Sequence, residues 1–142
     1  MAQPDEFVLD GSVTMAWYFK DEENDYANAV RDGLGMNRAV VPSLWPLEVA
    51  NTILVGERRK RSNQAQAAAW TGLLASLPIT VDDETATRAF SDILHLGRAQ
   101  NLSAYDAAYL ELAMRRGLPL ATLDAKLKAA AGAVGVPIYS AA

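Results

Sequence analysis

Phe7-Val8-Leu9-Asp10-Gly11-Ser12 is three apolar residues, an acid, then two residues suited to a turn or a helix start. Short apolar runs bounded by polar residues, glycine or proline are what strands buried on both faces require. The same order recurs at Leu120-Ala121-Thr122-Leu123-Asp124. Five strands are expected in all, at residues 7–9, 39–41, 79–81, 118–122 and 137–139. Longer helical patterns separate them, at 13–19, 24–34, 46–60, 64–77, 84–100, 104–116 and 125–133. Strands joined by crossover helices imply an α/β fold with a mostly parallel sheet covered on both sides. Helices 46–60 and 64–77 follow each other with no strand between, so they form a helical hairpin, expected to project from the sheet as an arm for contacts.

A chain of 142 residues, 51% apolar and 21% charged, is suited to one domain with one core, spanning 1–142. Loose structure is expected only at residues 1–5 and the last few. The absence of cysteine excludes disulfides, thiolate metal sites and cysteine nucleophiles, and fits a reducing cytoplasm. Met1-Ala2-Gln3-Pro4-Asp5-Glu6 lacks the basic-then-apolar order of a signal peptide. The longest charge-free stretch, 62–81, holds Asn63, Gln64, Gln66 and Pro78, too polar and broken to span a membrane. A net charge of −4 by itself argues against a nucleic-acid partner. It is a weak guide here, because four acids stand in a pattern that invites cations and Arg58-Arg59-Lys60-Arg61 is a contiguous basic run.

Those acids are Asp10, Glu48, Asp106 and Asp124. Each sits where an apolar run stops or a helix begins, and in a parallel sheet such positions share one edge. Each also has a local reason to be there. Asp10 and Asp124 suit helix N-caps, Glu48 suits the first turn of a helix, and Asp106 completes a capping-box pattern with Ser103. Yet Glu48 and Asp106 are flanked by apolar or aromatic residues, and a buried carboxylate needs a partner. Carboxylates brought together repel unless divalent cations sit among them. Hard oxygen ligands without nearby His or Cys select Mg²⁺ or Mn²⁺ over Zn²⁺, and such sites act on phosphate esters. Ser12 and Thr122 are placed to orient these carboxylates, and Asn51, on the same helix face as Glu48, to assist it. The basic run Arg58–Arg61 is either a solvated helix end or a grip for RNA or a partner.

Other chemistries find little support. There is no glycine-rich phosphate loop and no Gly-x-Ser-x-Gly. The single histidine, His95, lies between leucines on a helix, and no role follows for it.

Phe7–Ser12, Pro46-Leu47-Glu48-Val49-Ala50-Asn51, Leu102-Ser103-Ala104-Tyr105-Asp106-Ala107-Ala108-Tyr109-Leu110 and Ala121–Asp124 together resemble the PIN-domain family. Within it they resemble the VapC toxins of type II toxin–antitoxin systems. The resemblance implies a PIN-like three-layer sandwich around five parallel strands, and a Mg²⁺- or Mn²⁺-dependent endoribonuclease. It places Asp10, Glu48, Asp106 and Asp124 as the family's four acids, with Ser12 and Thr122 as supporting hydroxyls. Gly11 departs from the Asn or Thr of many relatives, a change expected to matter little. A cognate antitoxin covering the site and a homodimer are implied by the resemblance alone. Two rivals remain on the residues: a catalytically silent PIN-like partner-binding module, and a phosphoacceptor or phosphatase of another doubly wound fold using Asp10 as nucleophile.

Overall fold

Val8, Val40 and Thr80 lie side by side in a parallel sheet formed by β1 (Glu6–Leu9), β2 (Arg38–Val41) and β3 (Ile79–Val81). On the other side of β1 runs β4 (Leu120–Ala121), also parallel, giving the order β3-β2-β1-β4. All four strands therefore point one way, and the residues just past their ends collect at one edge. The computed structural model describes residues 5–141, so residues 1–4 and 142, among those expected to be loose, lie outside the described residues.

The sheet has four strands among the described residues, not the expected five. At the fifth position only one parallel bridge forms, Leu120 with Ile138. The Leu120 N–H donates to the Pro137 carbonyl and the Tyr139 N–H to the Leu120 carbonyl, after which pairing ends. Pro137 has no N–H for a ladder. Its would-be partner is also short. Leu118 N–H turns back to Ala113 at the helix exit, and the N–H groups of Leu123 and Asp124 go to the hydroxyls of Ser12 and Thr122.

The helices are α1 (Gly11–Ala16), α2 (Asp25–Gly33), α3 (Trp45–Arg58), α4 (Gln64–Ser76), α5 (Thr85–Arg88), α6 (Leu94–Gln100), α7 (Ala104–Arg116) and α8 (Ala125–Ala133). The helix expected at 84–100 is present as one unbroken helical stretch, 85–100, with a π-helical turn, Ala89–Ile93, between α5 and α6. That turn buries Ile93 and leaves Phe90 92% exposed. Gly117 ends α7 in the left-handed conformation, as its position predicts.

The core is apolar on both sides of the sheet: Phe7, Leu9, Val13, Val40, Leu110, Leu112 and Leu120 are fully enclosed. Each such side chain contributes about 2 kcal/mol through burial.

The hairpin of α3 and α4 is tied down, not a free arm. Trp45 Nε1 donates to Thr14 Oγ1 at 3.0 Å, docking the start of α3 onto α1. Trp70 of α4 stacks on Tyr18, ring centroids 4.3 Å apart, and is only 4% exposed. At the tip, Arg61 lies 3.9 Å over the Phe19 ring and pairs with Asp21 and Glu22 of a 3₁₀ turn, Lys20–Glu22. Gly56 is required there, because a Cβ would come within 2.9 Å of Ser62 Oγ and 3.1 Å of Phe19. The outward face stays open, with Leu47 and Leu54 exposed.

Candidate active site

Asp10 follows β1 and is buried, 6% exposed, at the start of α1. Its side chain does not cap that helix. Asp10 Oδ2 instead accepts hydrogen bonds from Ser12 Oγ at 2.6 Å and Thr122 Oγ1 at 2.8 Å. These hydroxyls are themselves held: Leu123 N–H donates to Ser12 Oγ and Asp124 N–H to Thr122 Oγ1. The loop after β4 is thereby stitched to the end of β1. Burial pushes the Asp10 carboxyl above its usual value, against these hydrogen bonds.

Glu48 stands one turn after Trp45 on α3, so the Trp45 anchor also places Glu48. It is half-buried, and Tyr109 Oη of α7 donates a hydrogen bond to its Oε1. Burial raises the Glu48 carboxyl, the Tyr109 hydrogen bond works the other way, and the charges of Asp10 and Asp106 raise it further. The Tyr109 hydroxyl is pushed far above its ordinary range by burial and by the Glu48 charge, so it stays a donor.

Asp106 lies in the first turn of α7. The Ser103 hydroxyl caps that helix by accepting from the Asp106 N–H at 3.1 Å, but the reciprocal bond of a capping box is not made. By contrast, Asn63 and Gln66 at the start of α4 make both. The half-buried Asp106 carboxyl is raised by burial and by the charges of Asp10 and Asp124, and lowered by Lys126. Asp124 is the one acid of the four that caps as a local reading would have it: Oδ1 accepts from the Leu127 N–H at 2.9 Å.

The four acids thus share one neighbourhood, with Asp10 central, Glu48 and Asp106 close enough to feel it and each other, and Asp124 beside Asp106. They do not form a finished cage. Among the described residues, no three acid or histidine side chains are already gathered closely enough to hold one metal ion. The donor chemistry nonetheless fits a hard divalent cation: all four offer carboxylate oxygens, three have their charged form disfavoured by burial, and two of those three, Glu48 and Asp106, also by neighbouring acids.

Asn51 is exposed and, with Glu48, lines a groove of about 340 Å³ that runs along α3 to Arg61. The basic run is divided. Arg58, Arg59 and Lys60 are exposed at the end of α3, whereas Arg61 is engaged by Asp21 and Glu22. His95 is in a separate cavity of about 520 Å³, lined also by Arg88, Glu111 and Arg115.

Two features were not legible in the sequence. Tyr109 reads as part of the apolar stripe of α7, and nothing local marks its hydroxyl as a partner for Glu48, 61 residues away. Arg115 joins Asp82 at 2.8 Å, Glu111 at 2.9 Å and Glu84 at 3.2 Å, and of these only the i,i+4 pair with Glu111 has a sequence signal. Gly11 borders the Glu48–Tyr109 pair. A Cβ there would lie 3.3 Å from Met15 Cε, 3.5 Å from Glu48 Oε1 and 3.6 Å from Tyr109 Oη.

A sequence model of the PIN domain matches residues 7–133. No curated protein sequence matches the chain. Among solved structures, PAE2754 from Pyrobaculum aerophilum superimposes with a TM-score of 0.66 at 23% identity, covering 89% of this chain and 79% of that one. VapC20 of Mycobacterium tuberculosis, a Sarcin-Ricin loop cleaving toxin, superimposes with a TM-score of 0.57 at 15% identity, covering 87% and 94%. At these identities the likeness concerns the fold. No helix among the described residues is long and apolar enough to cross a membrane.

Proposed function

The chain belongs to the PIN domain family, whose members are generally nucleases, and on that premise we propose that it is a Mg²⁺- or Mn²⁺-dependent endoribonuclease. The observation that carries the reading is the gathering of Asp10, Glu48 and Asp106, whose carboxyls are all raised by burial and two of them by mutual charge. Such a cluster is unfavourable until cations neutralise it.

Asp10, Asp106, Glu48 and Asp124 would hold the cation. When bound, the cation supplies positive charge to the scissile phosphate and its leaving oxygen. The chain's own groups do the rest. Ser12 and Thr122 occupy Asp10 Oδ2, fixing the carboxylate plane and leaving Oδ1 directed by it. A solvent-facing carboxylate of the cluster takes the proton released when water adds to phosphorus, and the departing 3′-oxygen takes a proton from solvent as its bond breaks. Exposed Arg58, Arg59 and Lys60 are candidate contacts to the RNA backbone or a partner.

By the same reading the protein acts in the cytoplasm as the VapC-type toxin of a toxin–antitoxin pair, as a homodimer whose site a cognate antitoxin covers. The fold shared with VapC20 supports this. A small adjacent gene encoding a DNA-binding head and a short tail is the expected companion.

The direct test is incubation of total RNA with purified protein, with and without Mg²⁺ or Mn²⁺. Cleavage is expected only with the cation. Asp10→Ala and Asp106→Ala should each reduce it by at least about a hundredfold, beyond the usual cost of losing a mere supporting partner. Parental cleavage by either variant would defeat the assignment.

A further inference from the structure

Among the described residues, Glu48 is the only one of the four acids whose carboxylate takes a hydrogen bond from the side chain of a different helix. The donor, Tyr109, is 1% exposed, with its ring packed in the core. Asp106 and Tyr109 are three residues apart on α7 and so share a helix face. One turn of α7 therefore carries an acid of the site and the hydroxyl that holds another. Gly11, next to Asp10, borders the pair: a Cβ built there would lie 3.5 Å from Glu48 Oε1 and 3.6 Å from Tyr109 Oη, in ordinary van der Waals contact with both.

We propose that Tyr109 is a positioning residue for the divalent cation. By occupying Oε1 it turns Glu48 into a one-oxygen ligand, with Oε2 presented at a set distance from Asp10 and Asp106. The inference rests on the reading of the acids as a cation site. A ligating carboxylate oriented by a fixed hydrogen-bond donor binds more tightly than one free to rotate, because the geometry is set before the ion arrives.

The test is calorimetric titration of Mn²⁺ into metal-free parent, Tyr109→Phe, Glu48→Gln and the double variant, with a thermal melt of each without metal. Tyr109→Phe keeps the ring and removes only the hydroxyl. It should weaken Mn²⁺ binding about tenfold. Glu48→Gln should weaken it at least as far, and the double variant no further than Glu48→Gln alone. A Tyr109→Phe variant that melts lower but binds Mn²⁺ as the parent does would overturn the proposal. So would an equal loss in both backgrounds, since Tyr109 would then act elsewhere. Should Tyr109→Phe not fold, Glu48→Asp asks the same question. It keeps the charge but is one methylene too short to hold both Tyr109 and the ion, so it should bind no better than Glu48→Gln; parental affinity would refute the idea. Asp10→Ala separates the two levels. If it binds Mn²⁺ like the parent, the cation reading has failed, whatever Tyr109 does.

Discussion

Asp10 shows how one residue can be well held and still costly. Two hydroxyls satisfy Oδ2, yet burial raises its carboxyl above the usual 3.8. A raised carboxyl binds its proton more tightly in the folded than in the unfolded state. Its favourable contribution is complete below the unfolded value and is lost as pH rises through the folded one. Metal-free Asp10→Asn should accordingly melt above the parent at neutral pH, with the gap closing as pH falls toward 3.8. Saturating Mn²⁺ should reverse the order. Thermal melts across that range, with and without the ion, check both parts, and a gap that does not depend on pH would show that the charge is not the cause. How far this site was legible differed residue by residue. Asp10, Ser12 and Thr122 announced themselves through strand ends. Glu48 and Asp106 did so through their apolar flanks. Tyr109 did not, because a phenol on an apolar helix stripe looks the same with or without a distant carboxylate.

At the scale of elements, α7 does two jobs at its two ends. Its first two turns carry Asp106 and Tyr109, and its last turn carries Arg115, clamped by Asp82, Glu84 and Glu111. Asp82 and Glu111 are both buried, and Arg115 lowers the Asp82 carboxyl. Arg115→Met leaves the buried Asp82 without its cation, while Arg88 still pairs with Glu84 and reaches Glu111, and it should cost about 3 kcal/mol, the order expected when one partner of a buried ion pair is removed. Urea unfolding measures it, and adding Asp82→Asn should recover part of the loss. If Arg115→Met proves neutral, the clamp is not what seats α7. This clamp escaped the sequence because it bridges 33 residues. Local signals did better: Gly117 stopped α7 where expected, and α4, α7 and α8 begin where the sequence pattern begins them. The failures came where backbone donors were diverted. Leu123 and Asp124 gave theirs to hydroxyls and shortened β4, and the π-helical turn inside the long helix 85–100 has no signal in its periodicity.

For the whole molecule, the balance of charge sets the terms of any encounter with RNA. The chain carries a net −4, and its candidate site is a concentration of negative charge. Divalent ions are then needed to attract a polyanion as well as to cleave it. They should also stabilise the fold. A ligand at a hundred times its dissociation constant adds about 2.7 kcal/mol to unfolding when it binds the native state alone. Differential scanning calorimetry should show the melt rising with Mn²⁺ and returning with a chelator, and an unchanged melt would mean that the acids hold no ion. The α/β class and parallel sheet were readable from the alternation of short apolar runs and helices. The gathering of four distant acids was readable only as an inference from shared strand ends, and their failure to close into a cage was not readable at all.

The abbreviated outer strands bear on a different matter, the crowding of many copies. β3 has three residues and β4 two, and the outer side of β4 is met by the single bridge at Ile138. An open edge is a template on which a stranger's backbone can pair, and long flat edges invite fibres. Here an incoming chain would find too few free amide and carbonyl groups on either flank to hold it. The strand that stops after one bridge thus leaves a sheet that resists being extended from outside.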